Sequence, residues 1–186
     1  SELDIPVIGV VKPGAKSAIE NTKNKRIGII GTEGTIKSEL YTEYIHGKDP
    51  EITVIGKACP LFCPLVEEGM LHDSVTEEIA RRYLDELQEQ NIDSLILGCT
   101  HYPLIRSLIG RVMGSDVTLV NPAYETALEL RTLLSEEKLC RTEENNSQEE
   151  LHTFYVSDAT EKFQQFAESI LPCSVSNTSQ IDIEEY

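Results

Sequence analysis

Short, almost continuously apolar segments alternate with helical patterns along the whole chain, and this alternation most constrains the fold. Residues 26–31 (RIGIIG) and 93–97 (DSLIL) are the clearest apolar segments, and a helical pattern follows each of them. An apolar run of this kind is typical of a strand that is covered on both faces. The alternation therefore predicts an α/β fold of mostly parallel sheets with helices on both faces.

The same pattern predicts further, less distinct elements. We expect a long helix that Asp73 or Ser74 caps and that ends near Asn91, and a helix that begins at Ala15 after the Pro13-Gly14 pair. Additional strands are predicted at residues 5–11, 51–57, 116–120, 151–156 and 173–175.

The composition excludes several classes of protein. The chain has 16 basic and 32 acidic residues and a formal net charge of −16, so we expect no nucleic-acid partner, because phosphate backbones repel a polyanion. No apolar run approaches the roughly 18 residues of a membrane span, so no membrane partner is expected. The five scattered cysteines and the lack of a secretory leader predict a reducing, cytoplasmic location.

A thiol, a hydroxyl and an imidazole follow the strand at residues 93–97, in the sequence Gly98-Cys99-Thr100-His101. Ligands of open α/β sheets bind at the carboxyl ends of strands, so these residues are a candidate site. A thiolate beside an imidazole can perform nucleophilic or acid–base chemistry. A cysteine hydrolase is disfavoured because its histidine normally lies far from its cysteine in sequence. The alternative is a buried cysteine beside a capping threonine.

The turn at residues 31–35 (GTEGT) is a second candidate site. It joins a strand to a helix, so helix amides and the hydroxyls of Thr32 and Thr35 could bind an anion. It matches neither a Walker loop nor a dinucleotide fingerprint, and the alternative is a turn in which Thr35 caps the helix. Cys59 and Cys63 are four residues apart, but no second Cys/His pair follows, so no metal site is expected.

The candidate sites belong to a set of segments that resembles glutamate racemases of the aspartate/glutamate racemase superfamily. Residues 97–104 (LGCTHYPL) are similar to the second cysteine motif of that family, and this block is highly specific. Counterparts also exist, in the same order, for five other segments: residues 5–15 (IPVIGVVKPGA), 31–41 (GTEGTIKSELY), 58–69 (ACPLFCPLVEEG), 125–127 (ETA) and 154–163 (FYVSDATEKF).

The resemblance implies cofactor-independent interconversion of L- and D-glutamate, which supplies D-glutamate for peptidoglycan synthesis. Two cysteines exchange a proton with the two faces of Cα, and Cys99 matches the second of them. His101 matches the histidine that assists this cysteine, and Glu67 matches a glutamate that helps to place charge near the site, although an exposed, uninvolved glutamate is the alternative. The resemblance assigns substrate binding to three threonines: Thr100, Thr32 and Thr35.

The family's first cysteine motif, a Cys-Asn-Thr stretch, does not occur in these 186 residues. The resemblance therefore implies a two-domain racemase with one domain incomplete: a central domain at residues 1–114, half of the other domain at 115–175, and a tail at 176–186. We expect this chain to be an inactive fragment. The alternatives are a non-catalytic binding or regulatory domain of the same fold, or a racemase of another substrate such as aspartate or a hydantoin. Dimers occur in the family, so a homodimer is a possible assembly.

Overall fold

The computed structural model describes residues 5–140, 152–158 and 160–185, and the chain divides into two compact units. Unit 1 comprises Ser1–Cys140 and unit 2 comprises Arg141–Tyr186. This division reflects contacts within the chain. The expected racemase domains, with a boundary after residue 114, refer to a longer two-domain arrangement and stay a prediction.

Unit 1 contains a four-stranded parallel sheet with the order β2-β1-β3-β4. Its strands are β1 (Arg26–Gly31), β2 (Thr53–Ala58), β3 (Ser94–Gly98) and β4 (Thr118–Val120). Because β1 lies between β2 and β3, and all three run in the same direction, their carboxyl ends meet at one edge of the sheet. The predicted parallel α/β fold is confirmed.

Seven helices connect and flank these strands in the described part of unit 1. They are α1 (Val11–Asn21), α2 (Glu33–Lys37), α3 (Leu40–Lys48), α4 (Phe62–Glu67), α5 (Ser74–Glu89), α6 (Arg106–Met113) and α7 (Pro122–Glu136), with a 3₁₀ turn at Tyr102–Ile105. The long predicted helix is α5, and its N-cap is Asp73, whose carboxylate accepts a hydrogen bond from the Val75 amide at 2.7 Å.

The two central strands, β1 and β3, are buried on both faces, as their apolar sequences predict. Ile27, Ile29 and Ile96 pack in one cluster with Ala18 of α1 and Ile45 of α3. Successive side chains of a strand point to opposite faces, so the remaining apolar side chains of β1 and β3 point away from this cluster. These side chains are also almost completely buried: Ile30, Leu95 and Leu97.

The strand predicted at residues 5–11 is wrong. Residues 5–10 have no regular secondary structure, and α1 begins at Val11, four residues before the predicted start at Ala15. Pro13 is the third residue of α1, and proline is tolerated in the first turn of a helix because its missing amide hydrogen would have no intrahelical acceptor there. The β-branched residues at 5–11 indicated a strand, but no strand forms there.

Unit 2 is a strand–helix–strand unit. Strands β5 (Phe154–Val156) and β6 (Thr178–Gln180) are parallel, and helix α8 (Thr160–Ile170) connects them. The strand predicted at residues 173–175 is wrong, because the second strand forms at β6, inside the segment expected to be a tail. Leu151, at the start of the predicted strand 151–156, lies outside the described residues.

Some apolar residues at the carboxyl-terminal end of unit 1 are exposed. Tyr124 and Leu130 of α7 are 60% and 44% exposed. Among the described helices, none has both the length and the apolar character needed to cross a membrane.

Candidate active site

The candidate site lies where β1, β2 and β3 end, at the shared carboxyl edge of the sheet. The segment after β3 carries Cys99, Thr100 and His101, and α4, which follows β2, carries Cys63 and Glu67. The turn after central β1 lies between these two segments in the strand order. The sheet order therefore brings together residues that are far apart in the sequence.

A line of polar contacts runs from Cys99 through His101 to Glu67. The Cys99 Sγ lies 3.7 Å from the His101 Nδ1, and the His101 Nε2 lies 3.1 Å from the Glu67 Oε1. A carboxylate only accepts hydrogen bonds, so the Nε2–H of His101 donates to Glu67. In a neutral imidazole the lone pair is then on Nδ1, which is the nitrogen beside the Cys99 sulfur. The side chain of Glu67 is 48% exposed, so this glutamate is at once exposed and part of the cluster.

Thr100 lies beside the same imidazole. Its Oγ1 is 3.4 Å from the His101 Nδ1, and the residue is exposed. The interpretation of Thr100 as a helix cap is wrong, because the 3₁₀ turn that follows begins with His101 as its N-cap and has no side-chain cap. Cys99 is partly exposed, so a thiol, a hydroxyl and an imidazole are all accessible at this edge.

Cys63 is the unexpected member of the cluster. Its Sγ lies 3.6 Å from the Sγ of Cys99, and both are free cysteines. Burial, the hydrogen bond to Cys99 and the charges of Cys99 and Glu67 raise the pKa of Cys63 to about 11. Cys63 is therefore a protonated thiol at neutral pH. Sequence reasoning missed it, although Cys63 and Glu67 are four residues apart in α4 and therefore lie on the same helix face.

The threonines of the turn after β1 contact each other. Thr32 is the N-cap of α2, and its Oγ1 accepts a hydrogen bond from the Thr35 amide at 3.2 Å. The prediction that Thr35 would be the cap is therefore wrong. The two hydroxyl oxygens are 3.1 Å apart, and both residues are half-buried.

A pair of glycines lets Thr35 lie close to the end of β3. Gly31 and Gly98 are register partners in β1 and β3. A Cβ at Gly31 would lie 2.9 Å from the side chain of Thr35, and a Cβ at Gly98 would lie 3.3 Å from its Cγ2. Only glycine therefore leaves room for the threonine, which brings Thr35 next to the residue that precedes Cys99.

A buried tyrosine links the two outer segments of the site, which are the segments that follow β2 and β3, through a hydrogen bond. The Tyr102 hydroxyl donates a hydrogen bond to the carbonyl oxygen of Cys59 at 2.8 Å, and Tyr102 is fully buried. Burial raises the pKa of Tyr102, so its hydroxyl stays a donor. Cys59 is fully buried as well, and burial raises the pKa of its thiol to about 12, so it is a core residue rather than a site residue.

The chain matches the sequence model of the Asp/Glu/Hydantoin racemase family over residues 1–130. It is 41% identical to the glutamate racemase of Geobacter metallireducens over 182 residues, which cover 98% of this chain and 66% of that protein. With the glutamate racemase of Enterococcus faecalis it shares 43% identity over 181 residues, which cover 97% of this chain and 66% of that protein. The chain therefore spans slightly less than two thirds of the length of these relatives.

Solved structures show the same similarity. A glutamate racemase from Bacillus anthracis superimposes with a TM-score of 0.87 at 38% identity, covering 97% of this chain and 66% of that one. The glutamate racemase of Francisella tularensis, solved in complex with D-glutamate, also gives a TM-score of 0.87, at 36% identity and with 98% and 66% coverage. The parallel α/β architecture described above is thus that of these structures.

Proposed function

The chain belongs to the Asp/Glu/hydantoin racemase family, and we propose that it carries one wall of the active site of a glutamate racemase. The line of contacts from Cys99 through His101 to Glu67 carries this proposal, because it couples a thiol to an oriented base at the carboxyl edge of the sheet. The similar glutamate racemases supply the substrate class.

In one direction of the proposed reaction, Cys99 as a thiolate removes the Cα proton of one glutamate enantiomer, and the opposing group donates a proton to the other face of Cα. In the reverse direction the opposing group removes the proton, and Cys99 as a thiol donates one to its own face. His101 serves Cys99 by accepting its thiol proton at Nδ1, 3.7 Å away. Glu67 keeps the imidazole in the tautomer that this transfer needs, because it accepts the Nε2–H. No cofactor is proposed, so the polar groups of the site must stabilise the carbanion-like transition state.

The opposing acid–base group cannot be Cys63. Inversion needs one acid–base group on each face of Cα. Because each reacting atom lies about 3–3.5 Å from its partner in a productive complex, two sulfurs on opposite faces should be roughly 6–7 Å apart. The Cys63 and Cys99 sulfurs are 3.6 Å apart, which leaves no room for a carbon between them. We propose that the second group comes from the family's first cysteine motif. On this basis the 186-residue chain, assayed by itself, does not racemise glutamate.

We assign substrate binding to Thr100, Thr32 and Thr35, whose hydroxyls lie at or beside this edge and can hydrogen-bond carboxylates. The proposed product, D-glutamate, would serve peptidoglycan synthesis in the cytoplasm. The free thiols of Cys63 and Cys99, close enough to react with each other, support a reducing compartment.

The test compares this 186-residue chain with the complete gene product. We expect the complete product to interconvert L- and D-glutamate and the 186-residue chain to show no turnover, both followed by chiral chromatography. Cys99→Ser should lower the rate of the complete product about 10²–10⁴-fold, the usual contribution of one acid–base group. Cys140→Ser, at an exposed cysteine outside the site, is the matched control and should leave the rate unchanged.

Three results would count against this proposal. Turnover by the 186-residue chain alone would show that no second segment is needed. A preference of the complete product for aspartate or a hydantoin would move the assignment to another activity of the family. Binding of D-glutamate without interconversion would instead indicate a binding or regulatory domain.

A further inference from the structure

The three donor atoms of Cys63, Cys99 and His101 lie within 4.8 Å of one another. Two thiols and an imidazole are the ligands that zinc and other thiophilic cations prefer. The sequence argument against a metal site considered the pair Cys59 and Cys63, whereas the structure pairs Cys63 with a cysteine from another strand end. Cys59 is not part of this group, because its fully buried thiol donates to the Lys57 carbonyl oxygen.

Two of the three separations within this cluster fit tetrahedral coordination, and the third, between Cys63 and His101, is at most 4.8 Å. Zn–S bonds of about 2.3 Å and Zn–N bonds of about 2.0–2.1 Å place two sulfurs about 3.8 Å apart, and a sulfur and a nitrogen about 3.6 Å apart. The Cys63 and Cys99 sulfurs are 3.6 Å apart, and the Cys99 sulfur is 3.7 Å from the His101 Nδ1. One ion can therefore reach all three donors with small side-chain adjustments.

The surroundings of His101 add an independent argument. Metal-binding histidines usually donate their other ring N–H to a carboxylate, which fixes the tautomer and directs the lone pair at the ion. The His101 Nε2 makes this contact with Glu67 at 3.1 Å, so Nδ1 is left for the cluster. A net charge of −16 also raises the local concentration of cations around the chain.

We infer that Cys63, Cys99 and His101 bind a thiophilic divalent cation, Zn²⁺ in the first place, at the carboxyl edge of the sheet. Binding releases both thiol protons to solvent, so two thiolates and a neutral imidazole hold the ion and a fourth position stays open. The consequence for activity rests on the proposed racemase function. A Cys99 sulfur that is bonded to an ion cannot take the Cα proton, so the cation inhibits.

Binding is tested on the 186-residue chain with Co²⁺, under a phosphine reductant that prevents a Cys63–Cys99 disulfide. We expect one Co²⁺ per chain, a thiolate-to-cobalt charge-transfer band, the strong visible bands of tetrahedral cobalt, and displacement by Zn²⁺. Cys63→Val should remove the charge-transfer band or weaken it together with the affinity, and Cys140→Ser should change neither. Glu67→Gln should weaken Zn²⁺ binding about 10–100-fold, as loss of a carboxylate behind a ligating histidine does.

The outcomes separate this inference from the proposed function. A reduced wild-type chain that gives no charge-transfer band, or a band that persists unchanged in Cys63→Val, overturns the metal site and leaves the racemase proposal intact. Unfolding midpoints of each variant show whether a lost band reflects a lost ligand or a lost fold. In the complete gene product, Cys63→Val should lose at least tenfold in sensitivity to Zn²⁺, measured as the ratio of its own racemase rates without and with the ion. Equal sensitivity of variant and wild type overturns the inhibitory role.

Discussion

The hydrogen bond from the Tyr102 hydroxyl to the Cys59 carbonyl oxygen can be removed without disturbing the packing around it. Tyr102 follows the segment that carries Cys99, and Cys59 begins the segment that carries Cys63 and Glu67. Tyr102→Phe deletes one oxygen atom and keeps the ring. The substitution therefore tests whether this bond stabilises the arrangement of the two outer segments of the site.

The expected loss follows from the acceptors and donors that remain. A buried acceptor left without a partner costs about 1–3 kcal/mol, and a typical neutral hydrogen bond contributes about 0.5–1.5 kcal/mol. The Cys59 carbonyl oxygen also accepts the Phe62 amide at 3.1 Å, so it keeps one partner in the variant. The cost should lie in the lower part of the first range, and we expect Tyr102→Phe to lower the free energy of unfolding by about 1–2 kcal/mol.

Tyr83→Phe is a matched control for this measurement. The rings of Tyr83 and Tyr102 both pack edge-to-face on Phe62, with centroids 5.4 Å and 5.2 Å from it. The Tyr83 hydroxyl accepts only a long, exposed bond of 3.4 Å from the Leu61 amide, so its loss should cost less than about 0.5 kcal/mol. Urea unfolding of both variants gives the comparison, and equal losses within about 0.5 kcal/mol would refute a stabilising role of the hydroxyl.

The pH dependence of the same variant gives a second readout. Burial raises the pKa of Tyr102, so above the ordinary tyrosine value of about 10 the folded chain keeps a proton that the unfolded chain has released. The native state then binds more protons than the unfolded state, and stability falls as the pH rises. Phenylalanine does not titrate, so the difference between wild type and Tyr102→Phe should narrow above pH 10.

Three further substitutions or modifications have defined outcomes. Desolvation by itself raises the pKa of Asp93. Hydrogen bonds from one hydroxyl and two amides of the α1–β1 loop lower this pKa by a larger amount, so the net pKa lies below the ordinary value. Asp93→Ala should therefore cost about 2 kcal/mol in urea unfolding at neutral pH, and this cost should vanish as the pH falls through the folded pKa. Gly98→Ala would place a Cβ 2.8 Å from a backbone oxygen of β1 and should cost about 1–3 kcal/mol, whereas Gly110→Ala meets only a side chain at 3.5 Å and should cost nothing in the same assay. Iodoacetamide should label exposed Cys140 in the native chain and buried Cys59 only after unfolding, as peptide mass mapping would show.

The fold could be predicted from the sequence because strands that are buried on both faces consist almost entirely of apolar residues. Strand β1 reads as an apolar run since it has neighbours on both edges and side chains packed on both faces. The segment at residues 5–11 has a similar composition but no neighbouring strand. Composition alone does not distinguish these two cases, because pairing depends on where the rest of the sheet lies.

The candidate site could be predicted only in part, for a related reason. Cys99 and His101 lie two residues apart in sequence at a strand end, so local reasoning finds them. Cys63 lies 36 residues before Cys99, and the two thiols meet because β2 and β3 flank β1 and end at the same edge. Spacing rules for metal sites compare residues along the chain and therefore overlooked this pair.

The turn after β1 shows why the two sequence interpretations of its threonines were not alternatives. A capping threonine uses an oxygen lone pair, whereas a threonine that binds a carboxylate uses its hydroxyl hydrogen. Thr32 accepts the Thr35 amide hydrogen, and the two hydroxyls, 3.1 Å apart, share one hydrogen in whichever direction that bond runs. Two hydroxyls carry two hydrogens, so one remains to be donated to an acceptor at this edge. A helix cap and a donor for a substrate carboxylate are thus compatible in the same pair of residues.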